Sequence, residues 1–193
     1  EKPFRAKQIY TWLHQNLVEH YDEMTNISKG LRDRLSAEYS VALPETVEVL
    51  TSKIDGTKKF IFRMQDGHVI ESVWMEYQHG HSVCISSQVG CRMGCKFCAS
   101  TLDGLARNLT SGEMLGQIYQ IQRTTGARAD NIVIMGSGEP LDNYDEFTRF
   151  IRMISDENGL HISRRNITIS TCGLVPKIRQ LADENYGITL ALS

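Results

Sequence analysis

Apolar side chains recur at helical spacing over the first 45 residues. The first run has them every three or four positions: Ala6, Ile9, Tyr10, Leu13 and Leu17. A second run repeats this spacing: Leu31, Leu35 and Tyr39. Such a pattern is typical of helices that bury one face, and Pro44 ends the segment. The sequence therefore predicts two short helices in a small N-terminal accessory domain, residues 1–45.

Between residues 46 and 78 the pattern changes to that of β-strands. Two Asp-Gly pairs, at 55–56 and 66–67, separate three runs rich in β-branched and aromatic residues: VEVLTSKI, KKFIFRM and HVIESVWMEY. An Asp-Gly pair between such runs is a strong hairpin signal. We expect a three-stranded antiparallel meander over residues 46–81 that links the helices to the main domain.

From residue 82 onward, strand-like and helix-like segments alternate. Four segments read as strands: VCISSQV, NIVIMG, NITIST and GITLALS. Helices are predicted between them over residues 111–125, 143–155 and 174–185, with Ser111 capping the first. This alternation predicts an α/β domain over residues 82–193, with four parallel strands joined by right-handed crossovers.

Composition and charge narrow the class of protein. Hydrophobic residues make up 41% of the 193 residues and charged residues 23%, so the chain can bury a core and is not disordered. It has no apolar run of 18 residues and no signal-peptide pattern. The formal net charge is −2, but residues 91–128 and 163–179 are locally basic. These two segments are candidates to face phosphate.

Three of the five cysteines crowd into one short segment. Cys91, Cys95 and Cys98 form a C-x3-C-x2-C motif, and thiolates are soft ligands that select zinc or iron–sulfur clusters. Structural zinc and ferredoxin clusters both require a fourth ligand that the motif lacks. Three ligands suit a [4Fe–4S] cluster with one open iron. The alternatives are a chance group of buried thiols, or a zinc site completed by Cys84 or Cys172.

Polar and glycine-rich motifs follow each predicted parallel strand. The cysteine loop follows the first strand, residues 136–140 the second and residues 170–173 the third, while Ser193 ends the fourth. Ligands of parallel α/β folds bind at the carboxyl ends of strands. Gly136 and Gly138 permit close ligand approach, and Glu139 offers a carboxylate to a cation. The motifs therefore predict one common site.

Several segments resemble the RlmN/Cfr-like family of radical S-adenosylmethionine (SAM) rRNA methyltransferases. The similar segments run in order along the whole chain: PFRAKQIYTWL, YDEMTNISKGLRDRL, VCISSQVGCRMGCKFCAS, RNLTSGEMLGQI, NIVIMGSGEPLDNYDEF and ITISTCGLVPKIRQLADE. Phe97, just before the third cysteine, also fits the radical SAM pattern. Pro140 and the N-terminal segments favour the branch that methylates adenine C2 over the branch that methylates C8.

The resemblance implies a fold and a set of cofactors and partners. The family's catalytic domain is an incomplete (β/α)6 barrel, so residues 82–193 would be its first four strands, and the accessory domain would be RNA-binding. The implied cofactors are a [4Fe–4S] cluster and SAM. The implied substrates are 23S rRNA and tRNA, with a flavodoxin-like electron donor, in the cytoplasm and away from the membrane.

Residue roles also follow from the resemblance. Cys91, Cys95 and Cys98 would bind the cluster. The residues that would hold SAM are Gly138, Glu139, Ser170 and Ser193. Glu71 matches a proton acceptor. Cys84 matches a cysteine that forms a disulfide with a methyl-carrying cysteine to release the product. Cys172 departs from the family's usual residue and is interpreted as a packing residue.

The function expected from all this is methylation of adenine C2 in RNA through a methyl-cysteine intermediate. One alternative is a radical SAM activase or maturase that acts on a protein or a small molecule. Another is a non-catalytic zinc-binding module for nucleic acid. Because no cysteine follows Cys172, the methyl-carrying residue is absent. We therefore expect the chain to be the front part of a longer enzyme and inactive alone.

Overall fold

The N-terminal helices form a small module with its own core. The computed structural model describes residues 2–41, 43–78 and 80–193. The two predicted helices are confirmed as α1 (Pro3–His14) and α2 (Lys29–Glu38), with a 3₁₀ turn at Tyr21–Glu23 between them. Their shared core consists of Val18, Tyr21, Met24, Ile27 and Leu31. Leu17 lies beyond the end of α1 and packs against the main core instead.

The module docks on the main domain through polar contacts with one helix, α3 (Ser111–Thr125). His14 Nδ1 lies 2.7 Å from the hydroxyl oxygen of Tyr119. Arg123 donates to the carbonyl oxygen of Leu17 and forms an ion pair with Glu19 at 3.2 Å. Burial lowers the pKa of His14 to about 4, so its ring is neutral at pH 7.

Nine strands occur in the described part of the chain. Their bounds are β1 Glu45–Thr51, β2 Lys58–Arg63, β3 Val69–Tyr77, β4 Gly80–Ile85, β5 Gln88–Gly90, β6 Leu105–Asn108, β7 Asn131–Ile134, β8 Ile167–Thr171 and β9 Thr189–Leu192. Seven of them form one sheet in the order β1-β2-β3-β4-β7-β8-β9, and β5 and β6 form a separate two-stranded ribbon.

The main sheet combines an antiparallel and a parallel half. Strands β1 to β4 pair antiparallel, whereas β4, β7, β8 and β9 pair parallel, as the strand–helix alternation predicts. The predicted meander is present, but β3 pairs directly with β4. The meander therefore continues the sheet of the α/β domain, and the division at residues 45 and 81 stays a prediction.

Three helices cover one face of this sheet: α3, α4 (Tyr144–Ile154) and α5 (Val175–Glu184). Their apolar sides pack on strand residues that are fully buried, including Val83, Ile132 and Ile167. Thr110, not the predicted Ser111, caps α3, because its hydroxyl accepts a hydrogen bond from the Glu113 backbone N–H at 3.2 Å. None of the described helices is long and apolar enough to cross a membrane.

The opposite face is only partly covered. One row of directly opposed residues crosses five strands of the sheet: Val73, Cys84, Val133, Thr168 and Thr189. Opposed residues point to the same side of a sheet, and these are half-buried or exposed. We call this side the open face. Because side chains alternate along a strand, Glu71 and Ser170 lie on it as well.

Candidate active site

A break in the first parallel strand sets the position of the cysteine loop. The segment VCISSQV is not one strand as predicted, because β4 ends at Ile85 and the chain leaves the sheet at Ser86 and Ser87. The Ser86 N–H donates to Oε1 of Gln117, whose Nε2 donates back to the Ser86 carbonyl. Asn143 Nδ2 donates to the Ser87 carbonyl at 2.9 Å. These buried amides satisfy the backbone groups that the sheet no longer pairs.

The ribbon of β5 and β6 closes the cysteine loop at its base. Gln88 pairs with Asn108 at the start of the ribbon. At its end, the Cys91 N–H donates to the Gly104 carbonyl at 3.0 Å. Inside the loop, the Cys98 N–H donates to the Cys95 carbonyl at 3.0 Å. The loop therefore has fixed ends and a local turn between its second and third cysteines. The sequence pattern did not indicate this ribbon.

One cavity of about 280 Å³ joins the cysteine loop to the strand ends. Seven of the nine predicted site residues line it: Cys91, Cys95, Cys98, Gly138, Glu139, Ser170 and Ser193. Phe97, Met135 and Cys172 line it too. The expected convergence of motifs at the carboxyl ends of the parallel strands is therefore present in the fold.

Glu139 presents a fixed carboxylate to this cavity. Its side chain is buried, at 3% exposure. Oε1 accepts a hydrogen bond from the Leu141 N–H at 2.9 Å, and Oε2 accepts one from the Cys172 N–H at 2.8 Å. These two backbone donors hold the orientation of the carboxylate. A cationic group in the cavity would meet a preorganised negative charge.

The glycines beside Glu139 are required by the protein's own packing. Gly138 has a φ of +100°, and a Cβ there would lie 2.5 Å from Cβ of Gln88. A Cβ on Gly136 would lie 2.6 Å from Oγ of Ser86. The close neighbours of these glycines are Ser86 and Gln88 of the strand break, and the predicted close approach of a ligand stays a prediction.

Gln88 connects the parts of the site, and the sequence interpretation missed it. It is fully buried. Its Oε1 accepts from the Glu139 N–H at 2.8 Å, and its Nε2 donates to Asn108 Oδ1 at 2.8 Å and to Asp142 Oδ2 at 3.0 Å. Its side chain thereby ties the cysteine ribbon to the Glu139 loop. The polar run Ser86-Ser87-Gln88 inside a predicted strand was the available signal.

The interpretation of Cys172 as a packing residue is wrong. The residue is exposed and its side chain borders the cavity together with the three loop cysteines. Partial desolvation and the Glu139 carboxylate raise the pKa of the Cys172 thiol to about 11. The thiol is therefore protonated at neutral pH.

Glu71 and Cys84 do not line the cavity. Both lie on the open face, where Cys84 is opposite Val73 and Val133. Cys84 is a free thiol, and burial raises its pKa. Glu71 is exposed and forms an ion pair with Lys59 at 2.7 Å. The predicted catalytic pair is thus separate from the cavity but on the side of the sheet that Ser170 also faces.

The donor set fits an iron–sulfur cluster. Cys91, Cys95 and Cys98 are free and border the same cavity. In the described ranges, no three His, Cys, Asp or Glu side chains are placed to hold a single metal ion. A [4Fe–4S] cluster binds each thiolate through a different iron, so its cysteines need not converge on one point. Three soft ligands around a cavity meet that requirement.

Comparison with known families identifies the chain. Residues 1–41 match the family described as ribosomal RNA large subunit methyltransferase N-terminal domain. Residues 85–191, more than half of the chain, match the radical SAM superfamily. This chain belongs to the radical SAM superfamily. Membership implies SAM and an iron–sulfur cluster in general, and it confirms the α/β fold expected from the motifs.

Individual curated proteins are similar over the whole chain. A probable dual-specificity RNA methyltransferase RlmN from Lachnoclostridium phytofermentans is 64% identical over 100% of this chain and 54% of its own length. The Lachnospira eligens protein of the same name is 57% identical over 100% of this chain and 55% of its own length. These matches confirm the resemblance to the RlmN/Cfr-like family. The chain spans about half the length of these curated relatives.

A solved structure has the same fold. The crystal structure of a radical SAM methyltransferase from Sphaerobacter thermophilus superposes with a TM-score of 0.91 at 41% sequence identity. The match covers 98% of this chain and 56% of that protein. The helical module and the mixed sheet therefore belong to an architecture already seen in a solved methyltransferase structure.

Proposed function

We propose that this chain is part of a radical SAM methyltransferase that modifies C2 of adenine in 23S rRNA and tRNA. The observation that carries the proposal is the cavity shared by three loop cysteines, Glu139 and the strand-end serines. Superfamily membership and relatives named as RNA methyltransferases support it. No observation favours the maturase or the zinc module.

Within this function the cavity residues hold the two cofactors. Cys91, Cys95 and Cys98 would hold the [4Fe–4S] cluster, which when bound would supply one-electron reduction chemistry to SAM. Glu139 accepts the ammonium group of SAM, because its carboxylate is already oriented by two backbone N–H groups. Ser170 and Ser193 donate further hydrogen bonds, and Gly138 lets the Glu139 loop lie against Gln88.

Glu71 and Cys84 act on the RNA side of the reaction. Glu71 accepts the proton that adenine C2 loses. Cys84 attacks the sulfur of a cysteine that is joined through a methylene to the base and that belongs to the additional half of the longer relatives. The S–S bond forms as the C–S bond breaks, and the released methylene carbon takes the electron pair and a proton to become the methyl group. The shared location of both residues on the open face supports this division of roles.

The same proposal includes RNA as the substrate and a protein as the electron donor. The N-terminal module matches a ribosomal RNA methyltransferase domain, which supports RNA binding. A target adenine must leave the base stack before its C2 can be reached, so looped RNA suits the site. The electron donor is a flavodoxin-like protein, and the reaction takes place in the cytoplasm.

The test is RNA methylation by a longer protein. This chain is extended with the C-terminal half of the Lachnoclostridium phytofermentans relative, reconstituted anaerobically and given rRNA or tRNA with labelled SAM. We expect labelled 2-methyladenosine in the nucleoside digest. The proposal is contradicted if the label is found at another position of the RNA. It is also contradicted if the protein holds an intact cluster and no label enters the RNA.

A Cys84→Ala variant of the extended protein separates the steps. SAM cleavage should continue, while a covalent protein–RNA adduct accumulates on a denaturing gel because the releasing thiol is gone. Normal turnover without an adduct would mean that Cys84 is only a structural residue of β4.

A further inference from the structure

We infer that Lys59 is a positioning residue that holds the Glu71 carboxylate toward the reacting adenine. This inference rests on the proposed function, in which Glu71 accepts a proton. Nothing in the cysteine or glycine motifs indicates Lys59, which lies 25 residues before Cys84 in the meander. Its role follows from strand register and from one ion pair.

Strand register brings Lys59 onto the open face. Lys59 on β2 is directly opposite Val73 on β3, and Val73 is opposite Cys84 on β4. Lys59 therefore extends the open-face row by one strand, to the side away from the parallel strands. Neighbouring strands are about 4.8 Å apart, so Lys59 and Cys84 flank Val73 at about 10 Å from each other.

One ion pair lies at the end of the Glu71 side chain. Lys59 Nζ lies 2.7 Å from Glu71 Oε2, with side chains 42% and 55% exposed. Among the described residues, no other ion pair or hydrogen bond to this carboxylate is found. Without the ammonium group the carboxylate would be free to sample several rotamers.

The backbone of Glu71 is fixed independently. Ser86 Oγ donates to the Glu71 carbonyl oxygen at 2.7 Å and accepts from the Ser137 N–H at 2.9 Å. Ser86 is fully buried at the strand break. One hydroxyl thus connects the backbone of Glu71 to the glycine loop beside the cavity. With its backbone held by Ser86 and its carboxylate by Lys59, Glu71 has a defined position relative to the cofactor site.

The chain contains a matched control one residue away. Lys58 forms a similar ion pair with Glu76 at 3.1 Å, also between β2 and β3 and also partly exposed. Lys58 is opposite Trp74, a fully buried residue on the side of the sheet that the helices cover. Loss of Lys58 therefore removes an equivalent ion pair from the opposite face.

The experiment compares three variants of the extended protein in steady-state RNA methylation. Lys59→Met should lower kcat about ten- to a hundredfold, because a displaced proton acceptor loses much of its effect. The KM for RNA should change less than about threefold. Lys59→Arg should restore most of kcat, and Lys58→Met should match the parent. Unchanged kcat in Lys59→Met, or a raised KM with the same kcat, would overturn the inference.

A second measurement does not depend on methylation. Side-chain carbon relaxation by NMR reports the order of the Glu71 carboxylate in this chain. Order should fall in Lys59→Met, return in Lys59→Arg and stay unchanged in Lys58→Met. If the Glu71 carboxylate is equally ordered in all variants, the inference is overturned, even if the extended protein is inactive. Inactivity of the unsubstituted extended protein would count against the proposed function alone.

Discussion

Gly90 lies at the base of the cysteine loop, and it is the glycine where an added methyl group should destabilise the chain most. A Cβ at Gly90 would lie 2.0 Å from the carbonyl oxygen of Gly104, which is backbone and cannot rotate away. That oxygen accepts the hydrogen bond from Cys91 that closes the loop. Since carbon and oxygen approach no closer than about 3.3 Å, Gly90→Ala must move the loop ends apart by about 1 Å.

The loss of free energy of unfolding in Gly90→Ala has three contributions. Gly90 has a φ of +72°, where a residue with a Cβ loses about 1–2 kcal/mol. Overpacking adds about 1–3 kcal/mol, and the loosened hydrogen bond from Cys91 adds about 1 kcal/mol. We expect Gly90→Ala to lose about 3–6 kcal/mol in total. That is a large part of the stability of a typical domain.

Gly94 is a matched control in the same loop. Its φ is +73°, and nothing lies within 4 Å of the place where a Cβ would be. Gly94→Ala should therefore lose only the backbone contribution, about 1–2 kcal/mol. Urea unfolding of the cluster-free chain, followed by circular dichroism, gives both free energies of unfolding. Iron and sulfide analysis after reconstitution should show a larger loss of cluster in Gly90→Ala.

Equal destabilisation of the two variants would refute the reasoning. It would mean that the ribbon accommodates the methyl group without moving, and that the closed base does not determine the spacing of the cysteines. Full cluster content in Gly90→Ala would refute the second step, from loop geometry to cluster binding.

Two further predictions concern the cavity and the docked module. Glu139→Gln should weaken SAM binding ten- to a hundredfold, corresponding to about 1.5–3 kcal/mol for a charge-assisted hydrogen bond; equal affinities by calorimetry would contradict the role of Glu139. Burial lowers the pKa of His14 to about 4 from 6.5, so the unfolded chain binds the extra proton as pH falls. Through His14, the free energy of unfolding should thus fall by about 2 kcal/mol from pH 7 to pH 5, and the fall should be smaller in His14→Gln. If urea unfolding shows the same fall in the parent chain and in His14→Gln, the role of His14 is contradicted.

The repeating elements and the site's location could be predicted because both depend on local patterns. Alternating strand and helix signals identified β7, β8 and β9, and parallel strands bring their carboxyl ends to one edge of the sheet. The loop cysteines and Glu139 follow such strand ends. Their location at one site could therefore be predicted without knowledge of long-range packing. Two Asp-Gly pairs similarly indicated the meander.

The remaining features depend on contacts between distant residues. The break at Ser86 requires Gln117, 31 residues away, to replace the lost sheet hydrogen bonds. Gln88 joins Asn108 and Glu139, and neither partner is close in sequence. Cys172 was misassigned as a packing residue because its exposure results from the cavity that it lines with the distant loop cysteines. A strand pattern contains none of this information.

The most direct test of the account is Mössbauer spectroscopy of this chain after anaerobic reconstitution with ⁵⁷Fe. We predict one [4Fe–4S] cluster per chain in which SAM changes the signal of one iron, and no cluster when Cys91, Cys95 and Cys98 are all replaced by alanine. A cluster signal that persists in the triple variant, or a chain that holds zinc without acid-labile sulfide, would contradict the central claim that the cavity is a radical SAM site.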